Sequence, residues 1–202
     1  MNGLKLFRIV AWAAVAVVAV GMATIYVLQP RNAGVATTTS SGKAAVGGSF
    51  SLNSHKGERV TDETLRGKPY LAFFGFTNCP DICPTTLFDL SEMMAELGPQ
   101  ADKFNVLLIS VDPERDSQEL LATYITAFDS RIIALRGTRE ETDAVLKSFA
   151  AMAVKVPMDG GQYTMEHTAG VYLMDENGEY VGLMRMDETR EARMQKLRKL
   201  AS

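Results

Sequence analysis

Cys79 and Cys83 are the only two cysteines in this 202-residue chain. They lie in the stretch FFGFTNCPDICPTT (Phe73 to Thr86), with three residues between them and a proline after each. Where such a segment enters a helix, positions i and i+4 fall on one side, so both sulfurs can face one point. Pro84 suits the first helical position, because its missing N–H would have no partner there. Free N–H groups at a helix start favour a thiolate, the form that attacks disulfides and binds metals.

Three uses of the pair stay open. A structural disulfide would close a loop of only about five residues, which constrains the unfolded chain little. A thiol–disulfide exchanger of the thioredoxin type would normally carry C-x-x-C. It would also place a proline just before the strand facing the cysteines, where this chain reads MEHTAGVYL. The third use is a metal site, and a soft metal needs a third ligand.

The chain has two histidines. His55 sits beside Lys56 and Gly57 in an expected turn, where the ring is expected to be solvated. His167 immediately precedes an apolar run (Val171 to Met174). If that strand lies beside the one preceding the cysteines, the ring reaches the sulfurs from the facing loop. Two sulfurs and an imidazole suit Cu(I), Cu(II) or Zn(II). Structural zinc would want a fourth protein ligand, and the sequence offers no evident one. The 11 methionines, Met184 and Met186 among them, are read as packing residues, with Met165 placed to line the site.

Positioning these groups takes a folded domain. KPYLAFFGF (Lys68 to Phe76) and FNVLLISVD (Phe104 to Asp112) are continuous apolar runs, the mark of strands buried on both faces. Leu87, Leu90, Met93, Met94 and Leu97 recur at helical spacing until Gly98-Pro99 ends the helix. Asp116 with Glu119, and Thr138 with Glu141, have capping-box spacing ahead of two further helices. FSLNSHKGERVT reads as a hairpin, and Asn177-Gly178 marks another. A basic amphipathic helix with Met194, Leu197 and Leu200 closes the chain. Strands alternating with helices imply a central mixed sheet with flanking helices, the order of a thioredoxin-like α/β domain with an N-terminal hairpin. Sites in such sheets gather at the carboxyl ends of the strands, where Cys79 and Cys83 lie.

The front of the chain differs. Ile9 to Leu28 carries no charge. About 20 helical residues cross the roughly 30 Å hydrocarbon layer. Lys5 and Arg8 precede the run, so the positive-inside rule leaves residues 1–8 in the cytoplasm. Residues 9–28 form a single-pass anchor, 29–48 a flexible Gly/Ser/Thr/Ala linker, and 49–202 the domain, placed in the periplasm or an equivalent space. The length of the run favours an anchor over a cleaved signal peptide ending near Gly34–Thr37. A formal net charge of −3 sets nucleic-acid binding aside.

Taken together, CPDICP, VDPERD and YTMEHTAGVYLMD resemble the Sco/SenC family of membrane-anchored copper proteins. Glu166 stands where the family often has aspartate, and Thr168 where it often has serine. The resemblance implies a copper metallochaperone in which Cys79, Cys83 and His167 hold Cu(I) or Cu(II). The implied recipient is the dinuclear copper site of cytochrome c oxidase subunit II. A copper donor protein and a thiol reductase are implied partners. Some members are thought to act as thiol reductases for the target's cysteines, so the resemblance keeps Cys79 and Cys83 as a redox-active pair as a subsidiary reading. Asp112 is read as a turn residue and not a ligand.

Overall fold

The computed structural model describes residues 46–202, together with six helical positions nearer the N-terminus: 12, 13, 16, 17, 21 and 22. Residues 43–202 form one compact unit. The expected anchor and linker fall largely outside the described residues. Among the described residues, no helix is long and apolar enough to cross a membrane.

In chain order the elements are β1 (Ser51–Ser54), β2 (Arg59–Thr61), a one-turn helix α1 (Asp62–Leu65), β3 (Tyr70–Gly75), α2 (Ile82–Leu97) and β4 (Asn105–Ser110). They continue with α3 (Gln118–Ile125), β5 (Ile132–Arg136), α4 (Arg139–Ser148), β6 (Ala153–Pro157), β7 (Tyr163–His167), β8 (Val171–Met174), β9 (Tyr180–Met184) and α5 (Arg190–Leu200). Seven strands make one sheet in the order β2-β1-β5-β4-β3-β8-β9. β3, β4 and β5 are parallel, and the outer strands run antiparallel to their neighbours. This is the mixed sheet of a thioredoxin-like fold.

The apolar runs occupy the centre because only a strand covered on both faces can be apolar throughout. Every residue of β3 is buried, as are the last five of β4. Along α2 the buried positions Cys83, Leu87, Leu90, Met94 and Leu97 trace one stripe at helical spacing. The Asn177-Gly178 turn forms as its chemistry requires. Gly178 takes φ 75°, and Asp175 Oδ1 accepts from the backbone N–H groups of Asn177 and Glu179.

Register sets up the site. Gly75 pairs with Ser110 across the parallel β3–β4 ladder, so the loops after both strands emerge at one edge. β8 runs antiparallel to β3, with Val171 opposite Phe73. The chain entering β8 is therefore delivered to the edge where β3 ends.

Four local expectations need correction. The helix after VDPERD is capped by Ser117, whose hydroxyl accepts from the Leu120 N–H, and not by Asp116. Asp116 is fully buried instead, its two carboxylate oxygens accepting from the Thr77 and Ser110 hydroxyls. Pro84 is the third residue of α2 rather than the first, still within the turn whose N–H groups lack helical partners. His55 is not a free turn residue. Its half-buried ring accepts at Nδ1 from the Ala134 N–H, which docks the first hairpin on β5. Finally, His167 does not lie in a loop. It ends β7, which pairs with β6 in a separate two-stranded sheet.

Candidate metal centre

α2 begins at Ile82, just beyond the CPDI turn. Its N-cap residue, Asp81, makes no side-chain capping bond. The sulfur of Cys79 takes that place and accepts the Cys83 N–H at 3.3 Å. The two sulfurs differ in access: Cys83 is fully buried, while Cys79 is half-buried. Gly75, the last residue of β3, makes room for the inner one. A Cβ there would lie 3.0 Å from the Cys83 sulfur.

His167 arrives from β7. Its Nε2 lies 3.4 Å from Cys83 Sγ, and its Nδ1 lies 3.1 Å from the Thr168 carbonyl oxygen. A carbonyl only accepts, so Nδ1 carries the hydrogen and the neutral ring turns its Nε2 lone pair toward the sulfurs. Metal-ligating histidines are held in this way, one nitrogen bonded to an outer partner and the other free for the ion. Phe73 and Phe76 meet the ring edge-on, with centroids 6.0 and 5.8 Å away. They fix its plane.

The ligand atoms of Cys79, Cys83 and His167 all lie within 4.8 Å of one another. Two sulfurs and an imidazole nitrogen form a soft donor set that fits copper. The electrostatics restrain it until an ion arrives. Burial pushes the Cys83 thiol well above its ordinary range, against the thiolate expected at a helix start. The hydrogen bond with Cys79 adds to that rise, and one to the Phe76 backbone opposes it. Burial likewise lowers His167 below its ordinary value, while hydrogen bonds to the Thr168 and Phe74 backbones offset part of the change. A neutral ring is the form that ligates.

Asp112 is not part of the donor set. Its carboxylate takes the Arg115 Nε–H and, at 2.9 Å, the Tyr163 hydroxyl. Its carbonyl closes a turn with the Arg115 and Asp116 N–H groups. Arg115 also donates to the Tyr163 carbonyl at 2.8 Å and lies over the Tyr163 ring at 3.7 Å. VDPERD thus clamps the start of β7, the strand that ends in His167. Asp116 holds the other side through the Thr77 N–H and hydroxyl, two residues before Cys79.

Sequence reasoning missed this clamp and the β6–β7 sheet. V-K-V and Y-T-M on either side of Gly160-Gly161 are a usable hairpin signal. Nothing local marks Thr168 as the partner of Nδ1. Met165 is buried in the wall of the cavity beside the donor set, where Cys79 and His167 also contribute.

The sequence pattern of the SCO1/SenC family matches residues 38–202. The chain belongs to the SCO1/SenC family. Copper-bound ScoI of Bradyrhizobium japonicum is 44% identical with a TM-score of 0.73, the match covering 77% of this chain and 99% of that one. Copper-bound yeast Sco1 is 31% identical with a TM-score of 0.71, covering 77% and 88%. The human mitochondrial protein SCO1 homolog is 38% identical over 143 residues, which is 69% of this chain and 48% of that protein. The chain spans about half the length of the curated relatives of this kind that it matches. In this SCO1/SenC domain, C-P-D-I-C-P offers the sulfurs of the donor set and His167, the last residue of β7, offers the imidazole.

Proposed function

We propose that this protein is a copper metallochaperone. Cys79, Cys83 and His167 hold a copper ion, Cu(I) or Cu(II), as cargo. The observation that carries this reading is the convergence of three soft ligand atoms within 4.8 Å, with the imidazole tautomer set by the Thr168 carbonyl. Copper-bound relatives with the same fold support it.

Transfer follows from the asymmetry of the sulfurs. Cys83 is buried, and the half-buried His167 ring is held by Phe73, Phe76 and the Thr168 carbonyl, while the half-buried Cys79 lines the open cavity. Thiolates or imidazoles of the recipient enter beside Cys79 and displace it first. We take the recipient to be the dinuclear copper site of cytochrome c oxidase subunit II, on the family resemblance. Asp81 and Glu166 on the cavity rim carry charge that would set a partner's register. A copper donor protein fills the site. A membrane anchor at residues 9–28, with the domain in the periplasm or its equivalent, raises the effective concentration near an integral target.

One observation favours a second reading, a membrane-anchored thiol–disulfide oxidoreductase that reduces the target's cysteines. Both cysteines are free, and the pair combines an accessible sulfur with a buried one. That is the division between an attacking and a resolving thiol. Oxidation of the pair would release copper, since the ligand is the thiolate, so a thiol reductase serves either reading.

Metal analysis of the reduced full-length protein tests the choice, wild type beside His167→Ala. Wild type is expected to hold about one copper per chain. His167→Ala is expected to lose at least the ~10–100-fold in affinity that removing a mere outer-shell partner costs. Unchanged affinity would end the three-ligand reading. Insulin reduction without retained copper would favour the oxidoreductase.

A further inference from the structure

Met152 is a large apolar side chain left 55% exposed. It lines the cavity of about 450 Å³ that Cys79 and His167 also line. Its backbone is not loose. The Met152 N–H donates to the Thr168 hydroxyl at 3.0 Å, and the Met152 carbonyl accepts the Thr168 N–H at 3.0 Å. Thr168 is the residue whose carbonyl holds the His167 ring. Met152 is therefore tied to the element that aims the imidazole, while its side chain stays free at the cavity wall.

Burial does not explain this position, because a methionine placed for packing would be covered, as Met165 is in the same cavity. Chemistry offers a reason. A thioether is a soft donor that selects Cu(I), and it carries no proton to lose. Three rotatable bonds let it reorient within the cavity that Cys79 and His167 share with it. Unlike the two thiols, it cannot be lost to a disulfide.

Resting on the copper reading, we propose that Met152 is a transient thioether ligand that receives Cu(I) at the mouth of the site and steadies it on departure. As the Cys79–copper bond breaks, a bond from Met152 Sδ forms, and the recipient's sulfur then replaces the thioether. The ion stays Cu(I) throughout. The exchange moves no electron and needs no oxidant.

Met158 supplies the control. It is equally exposed, at 57%, but flanks the other end of β6 and lines a different cavity with Asn78 and Tyr163. The full-length Cu(I)-loaded protein is mixed with a chromogenic Cu(I) chelator in a stopped-flow instrument. Met152→Leu keeps the size and apolar character of the side chain and removes the donor. It is expected to slow copper release about tenfold, while Met158→Leu releases copper at the wild-type rate. Release from Met152→Leu at the wild-type rate overturns the proposal. Equal slowing in both variants also overturns it, since that would mark an apolar contact and not ligation.

A second readout needs no copper transfer. In the Cys79→Ser/Cys83→Ser protein with 13C-labelled methionine methyls, Ag(I) serves as the redox-inert probe. It is expected to shift the Met152 methyl, identified by its loss in Met152→Leu, and to leave that of Met158 in place. No shift at Met152 overturns the proposal. A wild-type protein that retains no copper would end the copper reading and this one with it, whereas copper retention with no Met152 effect ends this one alone.

Discussion

Gly75→Ala tests the geometry of the site with a single methyl group. Gly75 ends β3 beneath the start of α2. A Cβ built there would lie 3.0 Å from Cys83 Sγ, 3.1 Å from Leu108 Cδ1 and 3.2 Å from Phe73 Cε1. Ordinary contacts begin several tenths of an ångström farther out. Leu108 and Phe73 are fully buried, so neither can swing aside into solvent. The Cys83 sulfur has to move or the β3–β4 ladder has to flex. Overpacking of this kind costs about 1–3 kcal/mol. At roughly 2–4 °C per kcal/mol for a domain of this size, the metal-free melting temperature should fall by about 2–12 °C. The effect on copper should be larger than that loss alone implies. Metal–ligand distances tolerate only about ±0.2 Å, so a displaced sulfur weakens the ion's hold directly. We expect a ~10–100-fold loss of copper affinity, the size seen when ligand orientation is disturbed. Thermal melts of the metal-free protein and competition with a Cu(I) chelator measure the two quantities. A variant with wild-type melting and wild-type copper affinity would show that the sulfur does not sit against Gly75, and the packing account of Cys83 would fail.

Three further outcomes follow from the surroundings of the site. Asp116→Ala strands the Thr77 N–H and hydroxyl and the Ser110 hydroxyl. It should cost about 2–3 kcal/mol in urea unfolding, and wild-type stability would refute the clamp. Copper affinity should fall on acidification by about tenfold per pH unit for each thiol proton displaced, because burial holds the Cys83 proton tightly. A flat titration from pH 8 to 6 would contradict that. In the metal-free protein, burial keeps His167 below its ordinary value of 6.5, so its contribution to stability is complete above that pH and is lost as pH falls through the lower folded value. His167→Ala should flatten the acid limb of the stability profile by up to about 1.4 kcal/mol per pH unit, and an unchanged slope would assign that limb to other groups.

Local signals in the chain were enough for much of the frame. β3 and β4 announce themselves because central parallel strands must be apolar on both faces. The stripe from Leu87 to Leu97, the Thr138–Glu141 capping box and the Asn177-Gly178 turn are each contained within a few residues, and all form as read. The cysteine spacing and its place after β3 were legible for the same reason. Near neighbours along the chain were not always the deciding ones. Ser117 caps α3 because Asp116 is drawn away by Ser110 and Thr77, and Thr77 lies 39 residues earlier. The helix start does not make Cys83 a thiolate, because burial under the sheet outweighs the local field.

The sequence by itself determined the donor atoms on offer: two sulfurs four residues apart, and two imidazoles to choose between. Only the tertiary structure decided which imidazole meets them. His167 lies 84 residues from Cys83. It arrives because β8 pairs antiparallel with β3, and because Arg115 and Asp112 hold the start of β7. Side-chain identity is written residue by residue, whereas the approach of Nε2 to sulfur is a property of strand register and long-range packing, which no short window of sequence contains.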